Sequence, residues 1–284
     1  MEKILVQIAV VLFAVSFSKT SLSQQLAPAA QENSVEAPAA APAPTPAPIE
    51  VSPPLIDPGP TPAPIVEPTP APTPKPPQFV SAENYQKILK RGVPEVALKR
   101  VISFMQAHMG KKFHFKNDMP MALKNATWTV IIDYTQPSVN YRCYLINLKT
   151  GVVERYLVAH GRNTGEVQAT DFSNSHNSNK TSLGLYLTGR SYQSSRFGTG
   201  RILYGLETFN DEAHLRGIVI HGAQYMSDTF IRNNGRAGRS QGCPAMERNS
   251  FKRVHNILGA GALFLHYHKR LPQEVRKSPK VKLT

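Results

Sequence analysis

The sequence predicts a mainly β domain with short peripheral helices, preceded by a long segment with no capacity for a core. Three observations carry this. Between Ala27 and Gln78 lie 18 of the 24 prolines, interleaved mostly with alanine, a composition that buries too little apolar surface to offset its ordering entropy. From residue 127 onward, short runs rich in β-branched and aromatic residues recur between glycine- and asparagine-containing turns. The roughly 200 residues after position 78 suffice for one domain with a sizeable core.

In chain order, Lys3 stands before an apolar run from Ile4 to Phe17 that only Gln7 and Ser16 interrupt. That length suits the hydrophobic region of an export signal and is short for a membrane span. Ser21-Leu22-Ser23 resembles a cleavage site before Gln24. Residues 1–23 are therefore expected to be a signal peptide or, if kept, an N-terminal anchor, which places the protein in the periplasm or cell envelope. Residues 24–78 read as a Pro/Ala-rich disordered linker favouring extended polyproline II at ~3.1 Å per residue.

A helical lead-in is expected over 79–126, with helices at 85–90 and 94–109. Val93, Val96, Ala97, Val101, Phe104 and Met105 recur at helical spacing, and Pro94 suits a first turn. The main domain, 127–270, carries strands at 128–134, 142–148, 152–159, 183–188, 201–206, 217–221 and 262–267. Lys149-Thr150-Gly151 reads as a hairpin turn, and a helix is expected over 247–258. Residues 271–284 form a basic tail.

Charge narrows the partner. After residue 78 the chain holds 30 basic and 13 acidic residues, a net of +17, and such a field concentrates anions. Nucleic acid fits the charge but not the export signal. An acidic envelope polymer or an anionic membrane surface fits both.

The chemistry concentrates between Gly217 and Met246. An apolar strand ends in His221-Gly222, a loop rich in glycine, asparagine and arginine follows, and Ser240-Gln241-Gly242-Cys243-Pro244-Ala245 turns into a helix. A cysteine nucleophile needs a group to take its proton, and a histidine closing a neighbouring strand meets that need. The attacked carbonyl becomes an oxyanion requiring preorganised donors. Pro244 has no N–H, which leaves the amides of Cys243 and Gly242, with Gln241 as a further donor. Arg232, Arg236 and Arg239 are either bidentate clamps for carboxylates or solvated loop residues, with Arg239 favoured by proximity. Tyr225 either lines the cleft or packs, and His160 either faces the cleft or packs. Cys143 reads as a small buried hydrophobe. His266 and His268 share a strand face but lack a third ligand, and His214 with His221 is no better. No metal and no cofactor are expected.

The pairing of His221-Gly222 with Ser240-x-Gly242-Cys243 resembles the L,D-transpeptidases of bacterial cell walls. The resemblance extends less specifically over residues 128–268, including Thr181-Ser182-Leu183-Gly184. Ala159-His160-Gly161-Arg162-Asn163 and the segment from Gly238 to Ala245 are similar to a divergent branch of that family. It implies a β-sandwich and a thioester at Cys243 with a peptidoglycan stem peptide, with loss of the terminal D-alanine. An amine of a second stem, or of a protein to be attached to the wall, resolves the thioester. His221 is then the base, oriented by the carbonyl of Gly222. Ser240, Gln241, Gly242, Arg239 and Tyr225 are the expected substrate-side residues. Better-known members carry histidine at the position of Gln241 and arginine at that of Ala245, which leaves a substrate contact to be filled, by Arg239 or Arg236. Two alternatives stand beside transfer: hydrolysis of the same acyl-enzyme by water, and a non-catalytic wall-binding module, which has no need of the Cys/His pair.

Overall fold

In a computed structural model, residues 78–271 are described. The signal or anchor expected at 1–23, the linker up to its last residue and the basic tail after its first lie outside them. Two helices come first, α1 (Ala82–Lys90) and α2 (Glu95–His108). Ser81 starts α1 by accepting the Asn84 N–H at 3.2 Å, the ordinary remedy for an orphan amide at a helix N-terminus. Pro94 sits just before the first residue of α2. A small antiparallel pair follows, β1 (Lys112–Phe113) with β2 (Met121–Ala122).

The rest is mainly β with short peripheral helices, as the sequence predicts. One mixed sheet holds β3 (Trp128–Asp133), β4 (Cys143–Asn147), β5 (Val153–Tyr156), β6 (Gly184–Ser194), β7 (Gly198–Gly205), β8 (Val219–Gly222), β9 (Ala245–Met246) and β10 (Leu263–Tyr267). Their order is β5-β4-β3-β10-β6-β7-β8-β9. The last strand thus enters mid-sheet, parallel to β3 and antiparallel to β6. The β6–β7 hairpin runs past the expected strand ends, and its pairing shifts between Thr188 and Ser191, an irregularity of the kind that sharpens local twist. Two helices flank the site strands, α3 (Asp228–Asn234) and α4 (Arg248–Leu258). The α3 segment lies where the sequence predicts loop. Ser227 caps it by accepting the Phe230 N–H, and Gly235 ends it at φ 64°.

Ile88, Leu98, Val101 and Met105 of the lead-in share one apolar cluster with Val130, Ile131, Leu187 and Phe264 of the sheet. The lead-in is therefore part of the domain core. Val96, expected on its apolar face, is instead exposed. Both cysteines are free, and Cys143 is fully buried.

A buried cation braces the sheet beside the site. Arg142 is wholly enclosed, which is tolerable only with its donors matched. It donates to Gln136 O at 2.8 Å, to Val158 O from both Nη2 (2.9 Å) and Nε (3.2 Å), and to His160 Nδ1 at 2.9 Å. Since Nδ1 accepts, the His160 proton sits on Nε2 and is donated to Gly165 O at 3.1 Å. His160 therefore packs inward. Burial, helped by the Arg142 charge, lowers its pKa from 6.5 to about 4, and burial does the same to His266. As pH falls below 6.5 the unfolded chain takes up protons before the folded one does, so stability present at neutral pH is lost on the way down to about 4. The melting temperature is expected to drop across that window, and a His266→Gln variant should show a flatter drop.

Candidate active site

Strand pairing sets the chain segments that carry His221 and Cys243 side by side. β8 and β9 run parallel, with His221 opposite Ala245 and Gly222 opposite Met246. The ladder is fixed by His221 N–H to Pro244 O (3.4 Å) and Ala223 N–H to Met246 O (2.8 Å). Cys243 stands two residues before Ala245, partly exposed. The Val219 N–H donates to its Sγ at 3.5 Å, and Sγ lies 3.8 Å from Gly217 O. Burial raises the thiol pKa, with the Val219 N–H and the nearby Arg216 charge pulling against it.

His221 is 5% exposed. Its Nδ1 lies 3.1 Å from Gly222 O. A carbonyl only accepts, so Nδ1 carries the proton and Nε2 is left as the basic nitrogen. Burial lowers the imidazole pKa, with the Gly222 carbonyl opposing. The ring of Phe197 stacks on the imidazole, with centroids 4.3 Å apart and planes 25° from parallel.

The turn before Cys243 is stapled by Ser240. Its hydroxyl donates to Cys243 O at 2.6 Å and accepts the Gly242 N–H at 3.0 Å, while Ser240 N–H and O pair with His160 O and the Arg162 N–H. The Gly242 amide, expected as an oxyanion donor, is thus engaged inside the turn. Gly242 has φ 122°, and a Cβ there would sit 2.8 Å from Lys180 O, so only glycine fits. Thr181 joins this turn to the neighbouring loop, accepting the Gly161 N–H at 3.0 Å and donating to Gly242 O at 3.3 Å. Gln241 is exposed. Tyr225 is partly buried, and burial, with a smaller contribution from Cys243, raises its hydroxyl pKa.

The arginines divide differently from expectation. Arg239 donates to Arg162 O at 3.2 Å and Gly165 O at 3.5 Å and pairs with Glu166. Arg236 faces the same carboxylate at 3.4 Å, and Arg232 is exposed. The Arg239 guanidinium thus holds the 162–166 loop, the structural role that competes with a substrate clamp. Arg239→Ala and Arg239→Lys are both expected to lower the melting temperature, since an ammonium cannot reproduce the fork, with donor KM little changed. A large KM rise without loss of stability would restore the clamp.

The arginine beside Cys243 is Arg216, which sequence reasoning missed. Its Nη2 comes within 3.3 Å of a Cβ placed on Gly242. It donates to Lys180 O at 2.6 Å, Ser173 O at 2.9 Å and the hydroxyls of Ser178 and Ser182. It therefore ties the 173–182 segment to the turn while lending the thiol a positive neighbour. Ala245 is fully buried in β9. A cavity of about 620 Å³ between α2 and β10 is lined by none of these residues, and no cluster of metal-ligating side chains occurs among the described residues.

A family model described as L,D-transpeptidase catalytic domain matches residues 102–267, more than half of the chain. No curated protein matches. Among solved structures, an L,D-transpeptidase from Mycobacterium tuberculosis H37Rv shares 14% identity over 50% of this chain and 58% of its own, at TM-score 0.33. One from Xylanimonas cellulosilytica shares 17% over 50% and 60%, at 0.30. The helical cell shape determining protein Pgp2 from Campylobacter jejuni shares 14% over 62% and 57%, at 0.33. The chain thus spans somewhat less than two thirds of each of these structures.

Proposed function

The chain belongs to the L,D-transpeptidase catalytic domain family, and from that premise we propose that it is an exported peptidoglycan transpeptidase with Cys243 as nucleophile and His221 as base. The observation that carries this reading is the β8–β9 ladder, which sets the family's His-Gly and Ser-x-Gly-Cys segments side by side.

His221 Nε2 takes the thiol proton as Sγ attacks the carbonyl of the third stem residue, forming the C–S bond. The oxyanion is held by the Cys243 N–H, since the Gly242 amide is already bonded to Ser240 Oγ and Pro244 has none. The imidazolium then gives its proton to the departing amine of D-alanine, and a thioester remains. An acceptor amine attacks that thioester, its proton passes to His221, and the thiol is regenerated. Tyr225, Gln241 and the Ser240–Gly242 turn border the bound stem. The +17 charge after residue 78 favours residence on an anionic wall. In this organisation residues 79–126 support the catalytic region, 127–270, and the N-terminal segments deliver and tether it.

The test is incubation of the purified protein with tetrapeptide-bearing muropeptides, followed by mass analysis. Cross-linked dimers mean transfer, shortened stems mean hydrolysis through the same acyl-enzyme, and unchanged muropeptides that merely bind mean a wall-binding module.

A further inference from the structure

The far end of the β6–β7 hairpin has no core to fill. Arg190 to Gln193 are exposed, as are Ser195, Arg196 and Gly198, whereas the inner halves of both strands are buried. One side chain of this end turns back. Phe197 lies on the His221 imidazole in a near-parallel stack, with Tyr192 at 6.3 Å between ring centroids, tilted 47° to it. Its place is secured from below by Gly200, which pairs with His221. A Cβ on Gly200 would stand 3.0 Å from Phe197 Cε2 and 3.3 Å from Ile220 O, so a side chain there would press on the ring.

We propose that Phe197 is a positioning residue for the reaction. Its ring fixes the plane of the His221 imidazole and excludes water from it, so that the Nε2 lone pair is held for the Cys243 thiol. The physical argument has two parts. The Nδ1–H bond to Gly222 O is a single constraint and leaves the ring free to rock about it; a stacked aromatic removes that freedom, and small misplacements of a base are costly in rate. The ring also displaces solvent from one imidazole face, in keeping with a pKa held down by burial. The titratable or charged groups on the elements packed around His221 are Cys243 ahead of β9, Tyr225 after β8, Arg201 and Tyr204 on β7, and Arg248, Lys252, Arg253 and His255 on α4. Of these, Arg201 is turned to Gly189 O and His255.

This inference rests on His221 being the base. The tests are Phe197→Leu, Phe197→Tyr and Gly200→Ala, read by the pH dependence of Cys243 alkylation with iodoacetamide, by kcat and KM on muropeptides, and by the His221 ring-proton resonances. In Phe197→Leu, kcat should fall about 10- to 100-fold with KM little changed. The His221 inflection should move up toward the ordinary histidine range, and its ring protons should lose the upfield shift of a stacked neighbour. Phe197→Tyr should restore all three, and Gly200→Ala should give an intermediate loss by crowding the ring. A Phe197→Leu protein with parental kcat and an unmoved inflection overturns the proposal, as does a loss confined to melting temperature. If instead His221→Ala itself keeps parental activity, it is the assignment of the base that fails, and the stack on His221 then has no bearing on catalysis.

Discussion

Cys243→Ala is expected to abolish turnover while leaving the fold intact. The side chain is partly exposed, packs against the edge of the core cluster and makes two long polar contacts, with the Val219 N–H and Gly217 O. The turn that carries it is held by Ser240, Thr181 and the β8–β9 ladder, none of which involves the thiol. Melting temperature should therefore stay near that of the parent while muropeptide products disappear. Cys143→Ala should do the reverse. Its side chain is fully buried in β4, so its loss should cost about 1–2 kcal/mol of stability with activity retained. Turnover by a cleanly folded Cys243→Ala protein would remove the nucleophile from the mechanism.

His221→Ala should lower the rate by roughly 10²–10⁴, the usual scale for a positioned base. Burial raises the Cys243 thiol and lowers the His221 imidazole, both shifts favouring a neutral pair over an ion pair. An ion pair would show as fast alkylation persisting into acid. Here alkylation by a small neutral reagent should instead climb with pH, because the thiolate forms only as the proton leaves. Turnover should rise with pH through a His221 inflection below the ordinary 6.5, since the base must be unprotonated to act. In His221→Ala that inflection should vanish and alkylation at neutral pH should slow. Unchanged alkylation kinetics would mean that the imidazole does not activate the thiol.

Sequence pattern located the local elements well and their neighbours poorly. The strands at 128–133 and 263–267 follow from apolar, β-branched runs, but nothing in either run says that they pair in parallel mid-sheet. Ala245-Met246 is too short to register as a strand, although its ladder sets the site. For α3 the signals were present, Ser227 as cap and Asn234-Gly235 as stop, but glycine and arginine around it hid the apolar pattern. Cys243, His221 and Gly222 are legible as candidates because a motif carries them in short contiguous segments. Phe197 and Arg216 reach the site only through hairpin and loop packing, which local periodicity does not encode. Arg239 shows the same limit: closeness along the chain points to the thiol, whereas Glu166 and two carbonyls hold the guanidinium.

The parallel ladder between β8 and β9 makes catalytic alignment a matter of whole residues. Side chains alternate along a strand, so slipping β9 by one position would turn Ala245 and Met246 to the opposite faces and shift the Cys243 turn ahead of them by a whole residue. The loop inside that connection, residues 224–239, makes none of the bonds between the two strands, and lengthening such a loop costs little in closure entropy. It also carries Tyr225, α3 and the arginines near the cleft. The rim of the site can thus be rebuilt by insertion or deletion while the β8–β9 ladder keeps its register.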